Sequence, residues 1–219
     1  MEKILENYRL IKSQIVPYNP KIVAVTKYFD ENQIIKYYKL GFRDFGENRV
    51  KNAIDKIEKL PDEIRKNSKF HLIGHLQTNK ARLAVGKFDL IHSVDSVRLA
   101  KIISEEAEKQ GIVQKVLIQI NNANEEQKSG FSPKEIKENF KELLNLKAIK
   151  ICGVMNMAPI NATEEELHKL FQNIKQINDE LQFEFGVELK EISMGMSRDY
   201  KIALEEGATI IRLGRILFE

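Results

Sequence analysis

Eight short apolar runs alternate with helix-forming segments along this chain, and nothing else in the sequence restricts the possible folds as tightly. A first helix over roughly Glu2–Ile15 places Ile4, Leu5, Tyr8, Ile11 and Ile15 near helical spacing, and Pro17 and Pro20 stop it. The predicted strands are Ile22–Val25, which ends on Lys27, then Asp44–Gly46, Phe70–Gly74, Leu90–Val94, Val113–Ile120, Ile149–Met157, Leu189–Met194 and Thr209–Gly214. Between them lie helices over Glu31–Leu40 with Asp30 as cap, one carrying Val50, Ile54 and Ile57, and one opened by Thr78 that reaches Val85. Further helices cover Val97–Lys109, the stretch from Ser132-Pro133 to Leu144, Thr163-Glu-Glu-Glu166 to about Phe183, and Arg198–Glu206.

Alternation of this kind predicts an α/β fold: a single TIM-type (β/α)₈ barrel over residues 1–219 with one extra N-terminal helix. An open doubly wound sheet is the competing architecture. It wants a glycine-rich turn after the first strand, and Thr26-Lys-Tyr-Phe29 has none. No apolar run reaches membrane-spanning length, and the charged start Met1–Tyr8 is not an apolar export signal. The net charge of +3 comes from 35 basic and 32 acidic residues spread throughout, which gives no argument for nucleic acid. Cys152, the single cysteine, lies within an apolar run and reads as core, so a reducing cytoplasm is the expected compartment.

Barrels of this type carry their chemistry at the C-terminal ends of the strands. That rim collects Lys27, Asn48, His75, Met155–Met157, Ser193–Ser197 and Arg212–Arg215. Ser193-Met-Gly-Met-Ser197 follows strand seven and opens a helix, and Arg212-Leu-Gly-Arg215 follows strand eight. Hydroxyls, a close-approach glycine and free amides between those two loops suit a phosphate. A lysine facing that site suggests a Schiff base to a phosphorylated aldehyde, which fits either an aldolase or pyridoxal 5′-phosphate (PLP). His75 belongs to the rim or caps the next helix, His71 and His92 are core or wall residues, and His168 is a solvated helix position. The four have no metal-ligand spacing. Asn121–Lys128 reads as a surface loop.

Six ordered segments carry a resemblance. They are Val23–Lys27, Phe45–Asn48, His71–Gln77 with Asn79-Lys80, Gly153–Pro159, Ser193–Ser197 and Arg212–Gly214. Together they resemble the pyridoxal phosphate homeostasis protein family, also called the proline synthase co-transcribed family, nearly end to end. The resemblance implies a fold type III PLP-binding barrel related to the N-terminal domain of alanine racemase. It implies Lys27 as the Schiff-base lysine, Asn48 beside the ring and Met155 packed near it. Ser193, Gly195, Ser197 and Gly214 would surround the phosphate, with Arg212 at the pyridine nitrogen. Two positions depart from the pattern. Arg215 stands where relatives have a small hydroxyl residue and offers charge instead, and Phe29 stands where many have a second lysine.

An arginine at the pyridine nitrogen weakens the cofactor as an electron sink. Racemisation further needs acid and base groups on both faces of the substrate carbon, and in alanine racemase one comes from a second domain of a partner subunit. This sequence leaves no room for such a domain. The expectation is therefore a monomeric, non-catalytic PLP carrier in vitamin B6 and amino-acid homeostasis, with PLP-dependent apo-enzymes as clients and neither nucleic acid nor membrane as partner. A small PLP-dependent racemase or lyase is the alternative, followed by a sugar-phosphate aldolase-type barrel. Lys128 is the next anchor candidate after Lys27.

Overall fold

Pro17 and Pro20 separate the first helix, α1 (Glu2–Gln14), from the first strand, β1 (Lys21–Val25), in a computed structural model that describes residues 2–123 and 129–219. The chain continues through α2 (Glu31–Lys39), β2 (Asp44–Glu47), α3 (Val50–Lys59), α4 (Asp62–Asn67) and β3 (Lys69–Leu72). A single 3₁₀ turn (Thr78–Lys80) and α5 (Ala81–Ala84) lead to β4 (Leu90–Val94), α6 (Val97–Lys109) and β5 (Gln114–Ile120). Then follow α7 (Pro133–Leu144), β6 (Ile149–Asn156), α8 (Glu164–Phe185), β7 (Glu191–Met196), α9 (Tyr200–Glu205), β8 (Ile210–Leu213) and α10 (Arg215–Phe218). The eight strands are parallel and pair in sequence order, and β8 returns to β1, so the sheet closes into the predicted barrel.

Local chemistry explains why the helices start where they do. Asp30, Ser132 and Thr163 each accept the backbone N–H three residues on, and Gln33, Glu135 and Glu166 return the bond to the cap. Gly186, with φ of 62°, ends α8 in the left-handed conformation that favours glycine.

The period-two alternation of the strands divides the apolar residues into two populations. Ile22 and Ala24 face outward into the large core shared with the helices, whereas Val23 faces the barrel axis with Ile73, Leu90, Leu117, Met155 and Ile210. Val25, Cys152 and Met157 pack on that inner cluster. Cys152 is half-buried rather than core, and partial burial pushes its thiol pKa up.

Four local expectations need correction. α4 follows Pro61 as an additional helix. Thr78 makes no side-chain cap; it opens the 3₁₀ turn, and α5 lasts one turn before Gly86 turns back with φ of 74°. Strand seven extends to Met196, because Gly195 at φ of 88° absorbs a register shift and lets Met196 pair with Arg212. The following helix accordingly opens at Tyr200, after a turn in which the Asp199 carboxylate accepts the Met196 N–H. The segment Ser193–Ser197 is thus mostly strand. His168 is no simple solvated position, since it bridges α8 to Glu206 at 2.7 Å.

Candidate functional site

The C-terminal ends of β7, β8 and β1, three adjacent strands, deliver Ser197, Gly214 and Lys27 to one side of the barrel rim. Lys27 lies two residues beyond β1, exposed, with Nζ 4.8 Å from the centroid of the Tyr28 ring. Val23 and Val25 lead to it along the inner face. The strand end below it is locked. Thr26 Oγ1 donates to Glu47 Oε1 at 2.7 Å, and Lys56 Nζ donates both to that oxygen at 2.6 Å and to the Thr26 carbonyl at 3.0 Å. On the other side, Val25 pairs with Gly46, so the residues that lead to Lys27 and to Asn48 leave neighbouring strands. Asn48 is half-buried, and its backbone lies directly against Gly74.

Ser197 Oγ accepts the backbone N–H of Gly214 at 3.2 Å and of Ile216 at 3.4 Å. These amides converge on a hydroxyl beside an open glycine; a Cβ at Gly214 would stand 3.5 Å from Val25 Cβ. Gly195 is buried with a left-handed backbone, whereas Arg215 is exposed at the start of α10 with no side-chain hydrogen bond or ion pair among the described residues. Lys128 lies outside the described residues, as do positions 124–128 of the expected loop.

Beneath the rim sits Arg212, 2 % exposed. Its Nη1 donates to the Ser193 carbonyl at 2.9 Å and to Ser193 Oγ at 2.7 Å, and its Nη2 donates to the Asn156 carbonyl at 2.8 Å. A guanidinium has five N–H donors, so Nε–H and one Nη2–H stay uncommitted among the described residues. Burial draws the Arg212 pKa down to about 10, against the charge of Asp199, and the group remains protonated at neutral pH. Burial also raises the Asp199 carboxyl. A buried cation with spare donors calls for an acceptor. Met155 is fully buried in the inner cluster.

The expected site residues therefore form two connected groups, Ser193 with Arg212 and Ser197 with Gly214, and Lys27 and Asn48 flank them on the next strands. Ser193 differs from expectation in its company: its hydroxyl is engaged with Arg212 and with His92 Nδ1 at 2.9 Å, inside the barrel. His75 lies exposed on the far side, 3.1 Å from Asp95, and caps no helix.

A family model described as the alanine racemase N-terminal domain matches residues 1–219. The pyridoxal phosphate homeostasis protein of Aquifex aeolicus (strain VF5) is 41% identical over 198 residues, 90% of this chain and 86% of that one. The chain belongs to the pyridoxal phosphate homeostasis protein family.

Among solved structures, PipY of Synechococcus elongatus PCC7942 without PLP matches with a TM-score of 0.93 at 38% identity, over 99% of this chain and 100% of that one. The same protein with PLP bound matches with a TM-score of 0.88 at 37% identity, with the same coverage. Within this member of the pyridoxal phosphate homeostasis family, sequence reasoning missed Glu47 and Lys56 beneath Lys27, and the link from Ser193 to the buried histidines. The available signal was period-two alternation. It places Asp44, His71, His92, Ser193 and Arg212 all on the inward face of their strands, where barrels usually carry branched apolar side chains.

Proposed function

We infer that this chain holds PLP through Lys27 and serves PLP and amino-acid homeostasis without turning over a substrate. The names of its relatives and the PLP-bound form of PipY support the ligand. The observation that carries the reading is the buried Arg212, with two donors uncommitted among the described residues, below a rim where Lys27, Ser197 and Gly214 leave three adjacent strands. This donor set fits PLP, whose pyridine nitrogen and phosphate oxygens are acceptors.

When bound, PLP supplies an aldehyde carbon that amines attack and a ring that withdraws electrons. Lys27 is the covalent anchor for that aldehyde. Asn48 would lie beside the ring, and Met155 would pack near it. Gly195, Ser197 and Gly214 would surround the phosphate, beside the Gly214 and Ile216 amides that meet at Ser197 Oγ, with Arg215 adding charge from α10, and Ser193 would serve the site by holding Arg212. Arg212 would hold the pyridine nitrogen and, keeping its own proton, would leave the ring a weak electron sink. This weak sink is the physical basis for a carrier role. Residues 1–219 act as one domain, a monomer of the cytoplasm whose clients are PLP-dependent apo-enzymes.

Incubation of the PLP-loaded protein with each amino acid in deuterated water tests the absence of turnover. No α-hydrogen exchange above a PLP-only control is expected overnight. Rapid exchange with any amino acid would make the protein a small PLP enzyme.

A further inference from the structure

An unbroken line of hydrogen bonds runs through the barrel from its N-terminal mouth to the buried Arg212 beneath the opposite rim. It starts at Asp44, whose carboxylate is 20 % exposed in a cavity of about 520 Å³ at the N-terminal mouth, lined also by Lys21, Lys69, His71 and Cys152. Asp44 Oδ1 lies 2.9 Å from His71 Nε2, His71 Nδ1 lies 2.9 Å from His92 Nε2, and His92 Nδ1 lies 2.9 Å from Ser193 Oγ. Ser193 Oγ then accepts from Arg212 Nη1 at 2.7 Å. His71, His92, Ser193 and Arg212 are all buried to within 2 % of full burial.

Counting donors fixes the direction of every bond. Arg212 can only donate and the Asp44 carboxylate can only accept. With neutral imidazoles, one arrangement satisfies each buried hydrogen. The Ser193 O–H donates to His92 Nδ1, the His92 Nε2–H donates to His71 Nδ1, and the His71 Nε2–H donates to Asp44. The reverse order would leave the Ser193 O–H without an acceptor and set a His71 lone pair against the carboxylate. Burial, together with the neighbouring His71 and Arg212, holds the His92 pKa well below that of an ordinary imidazole, so His92 stays neutral.

The geometry points to Asp44, His71, His92 and Ser193 as positioning residues for Arg212: one directional chain that sets the guanidinium for PLP from the opposite face of the barrel. If Ser193 did not donate its hydrogen to His92, its hydroxyl could rotate and Arg212 would lose a fixed acceptor. The carboxylate at the far mouth keeps the two imidazoles in a single tautomer, and that tautomer keeps Ser193 oriented. The effect on cofactor affinity rests on the PLP reading above; the order of the protons does not.

The test uses the full chain labelled with ¹⁵N at histidine, first without PLP. At a pH alkaline enough for both imidazoles to be neutral, ring-nitrogen spectra should show His71 and His92 as Nε2–H tautomers, and His92 in the Nδ1–H form there would overturn the proposal. Asp44→Ala should give His92 a mixed tautomer signal and weaken PLP binding about fivefold, the effect of one ordinary hydrogen bond. Asp44→Asn keeps an oxygen acceptor for His71 and should keep both the tautomer and an affinity within about twofold of wild type. Lys69→Ala, at the same mouth but paired to Asp89, should also resemble wild type. Wild-type affinity in Asp44→Ala, or equal weakening in both Asp44 variants, would overturn the chain in favour of no coupling or of bare charge. Should Asp44→Ala fail to fold, the wild-type tautomers still decide. A wild-type protein that binds no PLP would overturn the PLP reading, while the PLP-free spectra would still judge the chain.

Discussion

Thr26 Oγ1 donates to Glu47 Oε1 at 2.7 Å, one residue before Lys27. The same carboxylate oxygen holds Lys56 Nζ, and both side chains are largely buried, 3 % exposed for Glu47 and 12 % for Lys56. Three elements, β1, β2 and α3, are therefore tied together at the base of the Lys27 turn.

Glu47→Ala removes the carboxylate shared by the Lys56 ammonium and the Thr26 hydroxyl and leaves the buried ammonium with the Thr26 carbonyl alone. Removing one partner of a buried ion pair costs about 3–5 kcal/mol. Chemical denaturation should show a loss of that size, and Glu47→Gln, which keeps an oxygen for Thr26, should lose less. A change below about 1 kcal/mol in Glu47→Ala would show that the pair contributes little.

Gly74 presses on Asn48. A Cβ at position 74 would lie 2.7 Å from Asn48 Cα, against backbone that cannot rotate away. Gly74→Ala should cost about 1–3 kcal/mol by overpacking and should weaken PLP binding by moving Asn48. Titration with PLP and a denaturation curve read the two effects separately; unchanged values of both would contradict the close approach.

His168 and His92 should act on stability with opposite signs. The hydrogen bond that His168 donates to Glu206 raises the His168 pKa above 6.5, so its contribution is complete below that value and disappears as pH rises through the raised one. Denaturation midpoints of wild type and His168→Gln should differ near pH 6 and coincide by about pH 9. Burial lowers the His92 pKa, so the unfolded chain takes up that proton first and the fold loses stability as pH falls below about 6.5. A midpoint gap for His168→Gln that grows with pH would contradict the first assignment.

Much of the fold was legible because its signals are local. β4 and α6 span the expected residues, and Ser132-Pro133 and Thr163 start helices through bonds closed within four residues. Barrel closure followed from the alternation of strands and helices and did not depend on their boundaries. The end of β7 was illegible because Gly195 takes a left-handed backbone inside the ladder, which no local pattern marks. The pairing of Glu47 with Lys56 and Thr26, and the line from Asp44 to Arg212, depend on how separate strands align. His92 and Ser193 are 101 positions apart in sequence. Each appeared alone as a wall residue or a loop hydroxyl, and only the register of eight strands joins them.

Lys27 is the residue on which the account stands, and one measurement addresses it most directly. Purified protein incubated with PLP is scanned for the visible Schiff-base band, trapped with borohydride and mapped by peptide mass, alongside Lys27→Ala. The account predicts a stoichiometric band, a label on Lys27, and loss of both in a Lys27→Ala protein that still folds. A band of undiminished size in that variant, or a label on another lysine such as Lys128, would contradict it.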